Sequence, residues 1–235
     1  MKAKTIFIVC ILLFITFGSA FAQQAADPGA ATATTTATAT AQQLLRDISV
    51  DKFEDAGLWT AHISIDNGVA TSRLFEGGPT EVNGKQRIDQ EPDGSVFGVR
   101  VDYFSRGNTT ITVSPTRPIP IPGVTKTISV WVAGRNYNHT LYAHLEGITG
   151  KRFSIPMGTL NFSGWRQLSV SVPSTVEQIN RHYSNKQGLQ FIGFSIDPDI
   201  LETTGSYYVY FDDLRAWTDL FSQSSVNPND LPDNW

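Results

Sequence analysis

The amino-acid sequence predicts an all-β protein, an antiparallel β-sandwich with one short helix. Two observations carry the sandwich. Short runs alternate strictly between apolar and polar residues, and Gly, Asn and Asp turn signals recur between those runs. A third observation, a single stretch of helical spacing behind a capping signal, adds the helix.

The first 22 residues read as a cleavable secretory signal. Met1-Lys2-Ala3-Lys4 is basic, Ile6 to Phe17 is apolar, and Gly18-Ser19-Ala20-Phe21-Ala22 ends in a small-x-small pattern. The apolar run is too short to span a bilayer, which needs roughly 20 such residues. Cys10 is the only cysteine and lies inside the signal, so disulfides and thiolate metal sites are excluded from the mature chain. The whole chain has a formal charge of −4, and losing Lys2 and Lys4 makes the mature chain more acidic, about −6. An acidic balance with dispersed charge argues against nucleic acid, which needs a basic footprint, and supplies no polybasic attraction to lipid.

Residues 23–43 are almost all Ala, Thr and Gln around Asp27-Pro28-Gly29. Lacking large apolar side chains, this tract cannot recover its ordering entropy by burial, and it is expected to be a disordered arm. The β-sandwich domain is expected over 44–221, with a short C-terminal tail over 222–235. Some 200 residues suffice to bury roughly 70% of the unfolded surface without staples.

Within 44–221 the alternation is repeated. Phe97, Val99, Val101 and Tyr103 share one face, against Gly98, Arg100 and Asp102. Further sets are Ile128, Val130 and Val132; Leu141, Ala143 and Leu145; Leu168, Val170 and Val172; Ile192, Phe194 and Ile196; and Tyr207, Val209 and Phe211. Successive strand side chains point to opposite faces, so each run has one buried and one wetted side, as antiparallel sheets packed face to face require. Asp66-Asn67-Gly68, Asn83-Gly84, Asp93-Gly94 and Arg106-Gly107-Asn108 supply turns between them. Pro115 to Gly123 carries four prolines and is expected to be an extended connection rather than a central strand. The helix is expected from Ser174: Ser174-Thr175-Val176-Glu177 fits a capping box, Val176, Ile179 and Tyr183 follow at helical spacing, and Gly188 ends it.

Motifs for chemistry are sparse. No G-x-S-x-G elbow or phosphate-cradling glycine loop occurs. His139 and His144 are oddly spaced, so on one strand they would face apart and share no metal; His62 and His182 are isolated. Asp212 and Asp213 are adjacent on the last strand and, pointing oppositely, do not form a glycosidase pair. Glu54 with Asp212 or Asp213 could make a calcium site of oxygens from the first and last strands. The preferred alternative has these acids capping strand ends or pairing with Arg215. No catalytic, cofactor or metal residue is assigned. Trp59, Trp131, Trp165, Trp217 and Trp235, with Tyr137, Tyr142, Tyr208 and Tyr210, form the remaining theme: aromatics outside a core stack on sugars or anchor protein interfaces.

Three stretches resemble one family. They are Thr127 to Tyr137 with its V-W-V-x-G-R-N-Y run, Gly158 to Leu168 with G-W-x-x-L, and Tyr208 to Ala216 with Y-F-D-D-L-R, closed by Thr218-Asp219-Leu220-Phe221. Together they resemble the class A flagellar filament outer layer (sheath) proteins of spirochaetes, over roughly residues 47 to 221. The G-W-x-x-L and Y-F-D-D-L-R elements also look like jelly-roll, galactose-binding-like carbohydrate-binding modules. The resemblance implies a non-enzymatic structural protein of the periplasmic flagellum, without cofactor, coating the flagellin core beside other sheath proteins and influencing filament shape and motility. A periplasmic or surface carbohydrate-binding module is the alternative.

Overall fold

The structure, a computed structural model, describes residues 45–55, 57–82, 94–107, 109–180 and 187–220. The expected signal, arm and tail lie outside these residues, as do Asn83-Gly84, Asp93, Asn108, His182 and Trp235.

Twelve strands follow in chain order: β1 (Leu45–Asp51), β2 (Trp59–His62), β3 (Gly68–Glu76), β4 (Ser95–Tyr103), β5 (Ile111–Pro115), β6 (Ile119–Ile121), β7 (Val124–Ala133), β8 (Thr140–Glu146), β9 (Arg152–Thr159), β10 (Trp165–Ser171), β11 (Leu189–Asp197) and β12 (Ser206–Asp219). One sheet runs β10-β7-β12-β4-β3, with β1 on β12; the other runs β2-β5-β11-β8-β9, with β6 on β11. The pairings between the strands are antiparallel. This is the sandwich the alternation predicts.

The core lies between the sheets. Val99 and Val101 of β4, Ile128, Val130 and Val132 of β7, and Tyr207, Val209 and Phe211 of β12 meet Leu141, Ala143 and Leu145 of β8. Each fully buried aliphatic or aromatic side chain of this kind is worth about 1.5–3 kcal/mol of transfer free energy. An aromatic cluster joins the layers, with Phe194 of β11 stacked on Phe211 of β12 at 5.2 Å and 14°. Trp59 is part of it, 4.7 Å from Phe53 and 6.1 Å from Phe194, so this tryptophan is a core residue and not a surface one.

Three local expectations are corrected. Ile192 does not share a face with Phe194 and Ile196, because a β-bulge between Phe191 and Gly193 shifts the register. Phe191 and Phe194 are buried instead, and Gly193 takes φ +147° where an added Cβ would meet the Val113 carbonyl oxygen at 2.5 Å. Pro115 to Gly123 is extended as expected, yet part of it pairs, with β6 adding three residues to β11. Pro120 is tolerated because β6 is a short outer addition to that sheet.

The helix from Ser174 is absent among the described residues: Ser174 and Thr175 form a turn, and Ile179 bridges Gln187. The competing partners explain this. The carbonyls of Glu177 and Gln178, which a helix would align along its axis, accept from the N–H groups of Ile148 and Gly188 at 2.9 Å each. The Gln178 side chain accepts from the Thr125 N–H at 2.7 Å and donates to the Thr125 carbonyl at 3.0 Å. Tertiary hydrogen bonds and burial of Val176 outweigh a local capping signal.

Candidate functional site

The long strand β12 has two faces. Tyr207, Val209 and Phe211 point into the core, which leaves Tyr208 and Tyr210 on the outer face of their sheet. There Tyr208 lies opposite Arg100 and Tyr210 opposite Gly98 on β4, while Tyr210 also pairs with Ala133 on β7. Gly98 and Ala133 have almost no side chain, so the sheet surface is recessed on both sides of Tyr210. Phe75 of β3 leans into the recess and meets the Tyr210 ring edge-on, 5.5 Å between centroids and 73° between planes.

Three guanidinium groups lie over these rings. Arg73 is 4.5 Å from the Phe75 centroid, Arg135 is 5.2 Å from that of Tyr210, and Arg100 is 5.8 Å from that of Tyr208. Arg135 and Asn136 both take left-handed backbone angles (φ 59° and 64°), a tight turn after β7, from which Arg135 reaches the Tyr210 ring. The resulting groove comprises adjoining depressions that share Tyr210. One of about 520 Å³ is lined by Phe75, Glu76, Ala133, Arg135 and Trp165, and one of about 450 Å³ by Arg73, Phe75, Gly98, Arg100 and Tyr208.

The charges in the groove differ. Arg100 binds Asp102 at 3.0 Å; a hydrogen bond from the Ser206 hydroxyl and then that guanidinium hold the Asp102 carboxyl below its ordinary range. Arg73 and Arg135 have no carboxylate partner among the described residues, so they stay available to an anionic group from outside. Aromatic rings with arginine are the composition of energetically dominant interface positions.

The remaining expected residues are dispersed. Asp212 and Asp213 are both buried, because the alternation that would point them apart is broken by a bulge at Asp213, φ 49°. Asp213 lies 3.4 Å from the Arg215 guanidinium, which also binds Asp47 at 2.9 Å. The Glu54 carboxylate accepts from the N–H groups of Gly94 and Ser95 at 2.7 and 2.9 Å, capping the start of β4. No group of three or more His, Cys, Asp or Glu side chains suited to a metal ion occurs among the described residues. His139 is fully buried, its Nδ1 accepting from the Asp199 N–H at 3.2 Å. Tyr137 packs edge-on against Tyr207 at 4.9 Å, Tyr142 and Trp131 are half-buried, and Trp217 is 46% exposed beyond the bulge. Of the expected aromatics, the structure brings Tyr208, Tyr210 and Trp165 to the groove, and Tyr137 to a depression beside it that Arg135, Tyr208 and Tyr210 also line. Arg73, Phe75, Gly98 and Arg135 were not expected; the alternation of Val69, Thr71, Arg73 and Phe75 was a readable signal for the first two.

The family model and the curated relatives agree with one another on family. The model of the flagellar filament outer layer protein FlaA family matches residues 21–227. A putative flagellar filament outer layer-like protein of Brachyspira hyodysenteriae (strain ATCC 49526 / WA1) is 34% identical over 218 residues, 92% of this chain and 100% of that protein. The flagellar filament outer layer protein of Treponema pallidum (strain Nichols) is 30% identical over 121 residues, 48% of this chain but only 35% of that longer protein. Among solved structures, TmCBM61 in complex with β-1,4-galactotriose aligns over 73% of this chain and 99% of its own with a TM-score of 0.42 and 10% identity, a level that says nothing about ligands. With a family match across most of its length and full-length similarity to the Brachyspira protein, the chain belongs to the flagellar filament outer layer protein (FlaA) family, and is a structural component of the flagellar sheath.

Proposed function

We propose that this chain coats the flagellin core of the periplasmic flagellum together with other sheath proteins, and that it grips its neighbours through the outer face of the β10-β7-β12-β4-β3 sheet. The observation that carries the reading is the groove around Tyr210, in a member of an outer-layer family: recessed, aromatic, and holding two guanidinium groups with no carboxylate of their own among the described residues. Many modest contacts of this kind, repeated along a filament, give lasting attachment by avidity. A coat so attached adds strain-bearing interfaces outside the core and thereby alters filament curvature.

The sugar-binding alternative calls for a row of coplanar exposed rings. Here Phe75 and Tyr210 meet at 73°, and a guanidinium lies over a face of each of Phe75, Tyr208 and Tyr210. That geometry favours a protein surface bearing carboxylates over the apolar face of a sugar ring. Mass spectrometry of purified periplasmic flagella, with curvature compared in filaments having and lacking the protein, tests the reading. Recovery of the chain with the flagella and a change of curvature on its loss are expected; a chain found only in the soluble periplasmic fraction, or unchanged curvature, would count against it.

A further inference from the structure

We propose that copies of this chain assemble end to face: the apolar loop end of one sandwich seats in the groove around Tyr210 of the next. The inference rests on the sheath reading for its biological setting and uses the same groove, to which it adds a second surface, the loop end. At one end of the sandwich three loops are tied together, by the Phe104 N–H on the Asn67 carbonyl at 2.8 Å and the Tyr103 N–H on the Gly205 carbonyl at 3.0 Å. Their tips present Ile65, Leu201, Phe104 and Ile200 at 80%, 74%, 64% and 53% exposure. Single exposed apolar residues are ordinary; four on one tied set of loops form the kind of patch that marks an interaction site.

The charge at this end is opposite in sign to the Arg73 and Arg135 guanidinium groups of the groove, which outnumber the Glu76 carboxylate that also lines it. Asp66, Asp197, Asp199 and Glu202 flank the apolar tips against Arg106. The groove offers the guanidinium groups of Arg73 and Arg135 beside Phe75 and Tyr210. One molecule therefore carries both complementary halves, an acidic apolar end and a cationic aromatic face. Since the halves are different surfaces, the contact is heterologous: each added copy leaves one of each free, and the array propagates. A mature chain of net charge about −6 has no general tendency to self-associate, so the cationic face gives the contact its direction.

Sedimentation velocity of the full mature chain over a range of concentration and salt tests this. Mean mass is expected to rise with concentration and fall with added salt, as screening weakens the charge pairing. Arg73→Glu in the groove and Leu201→Asp at the loop end should each weaken association by about tenfold or more. Both side chains are exposed, so near-UV circular dichroism should show the native fold retained. Mixing the two variants should restore a one-to-one complex, since each keeps the half that the other lacks. A chain that is monomeric throughout, or association that neither substitution alters, would overturn the inference. Recovery with flagella of a chain that stays monomeric in solution would sink this inference and leave the sheath reading standing; self-assembly of a chain absent from flagella would do the reverse.

Discussion

Gly98 lies opposite Tyr210 in the β4–β12 ladder, and the space left by its missing side chain is filled by the edge of Phe75. A Cβ placed on Gly98 would come within 2.5 Å of Phe75 Cε2 and 3.0 Å of Tyr210 Cδ1. The glycine thus permits the ring contact that shapes the groove. Gly98→Ala is expected to push the Phe75 ring aside and narrow the groove, with a stability loss of about 1–3 kcal/mol at most, as for other overpacked sites. Urea denaturation gives the stability, and co-sedimentation with flagella gives the functional loss. Full attachment by the variant would show that the groove is not used.

The Gln178–Thr125 pair gives a second expectation. Gln178 satisfies both the N–H and the carbonyl of Thr125, at 2.7 and 3.0 Å, in a buried setting. Gln178→Ala leaves a buried donor and a buried acceptor unpaired, at about 1–3 kcal/mol each. Gln190→Ala, at an exposed position on β11, should change stability by no more than about 0.5 kcal/mol. Equal midpoints for the two variants in urea would contradict the assignment.

Much of the sandwich was legible because its information is local. The alternations at Phe97–Tyr103, Ile128–Val132 and Tyr207–Phe211 each report a buried face without reference to any other strand. What local pattern could not show was where that period breaks. The bulges at Ile192 and Asp213 are set by pairing with β8 and β7, so sequence alternation misplaced Ile192 and separated two carboxylates that are both buried. The capping box at Ser174 misled for a related reason, since Thr125 and Ile148, its actual partners, are distant in sequence. The groove was half visible. Tyr208 and Tyr210 could be placed on an outer face, but their meeting with Phe75 and Arg135 depends on β3 and β7 flanking β4 and β12.

Calcium should have no effect on stability. The Glu54 carboxylate is held by two N–H groups and Asp213 lies against Arg215, so these acids do not converge on one ion. Melting temperatures of the mature chain in calcium and in chelator are expected to coincide. A reproducible upward shift with calcium would require a different arrangement of these carboxylates.

Stability should fall as the pH drops below the ordinary histidine range. His139 is pushed below its usual value of 6.5 by burial, opposed by the nearby Glu202 and Asp199 carboxylates; burial also lowers His144. A depressed folded-state value means that the unfolded chain takes up protons first. The stabilisation is therefore complete above pH 6.5 and is lost progressively as pH falls towards the folded-state value. The slope is limited to about 1.4 kcal/mol per pH unit for each histidine. His139→Asn, which keeps an acceptor for the Asp199 N–H, should flatten the profile below pH 6.5 while leaving the share due to His144. Identical slopes in wild type and variant would assign the effect elsewhere.

The most direct measurement is quantitative co-sedimentation of the protein with periplasmic flagella, comparing the wild type with an Arg73→Glu, Arg135→Glu double variant that retains the native near-UV spectrum. The wild type should pellet with the filaments, and the double variant should remain largely in the supernatant. Filaments that retain both forms equally, or neither, would contradict a coat held through the arginine–aromatic face.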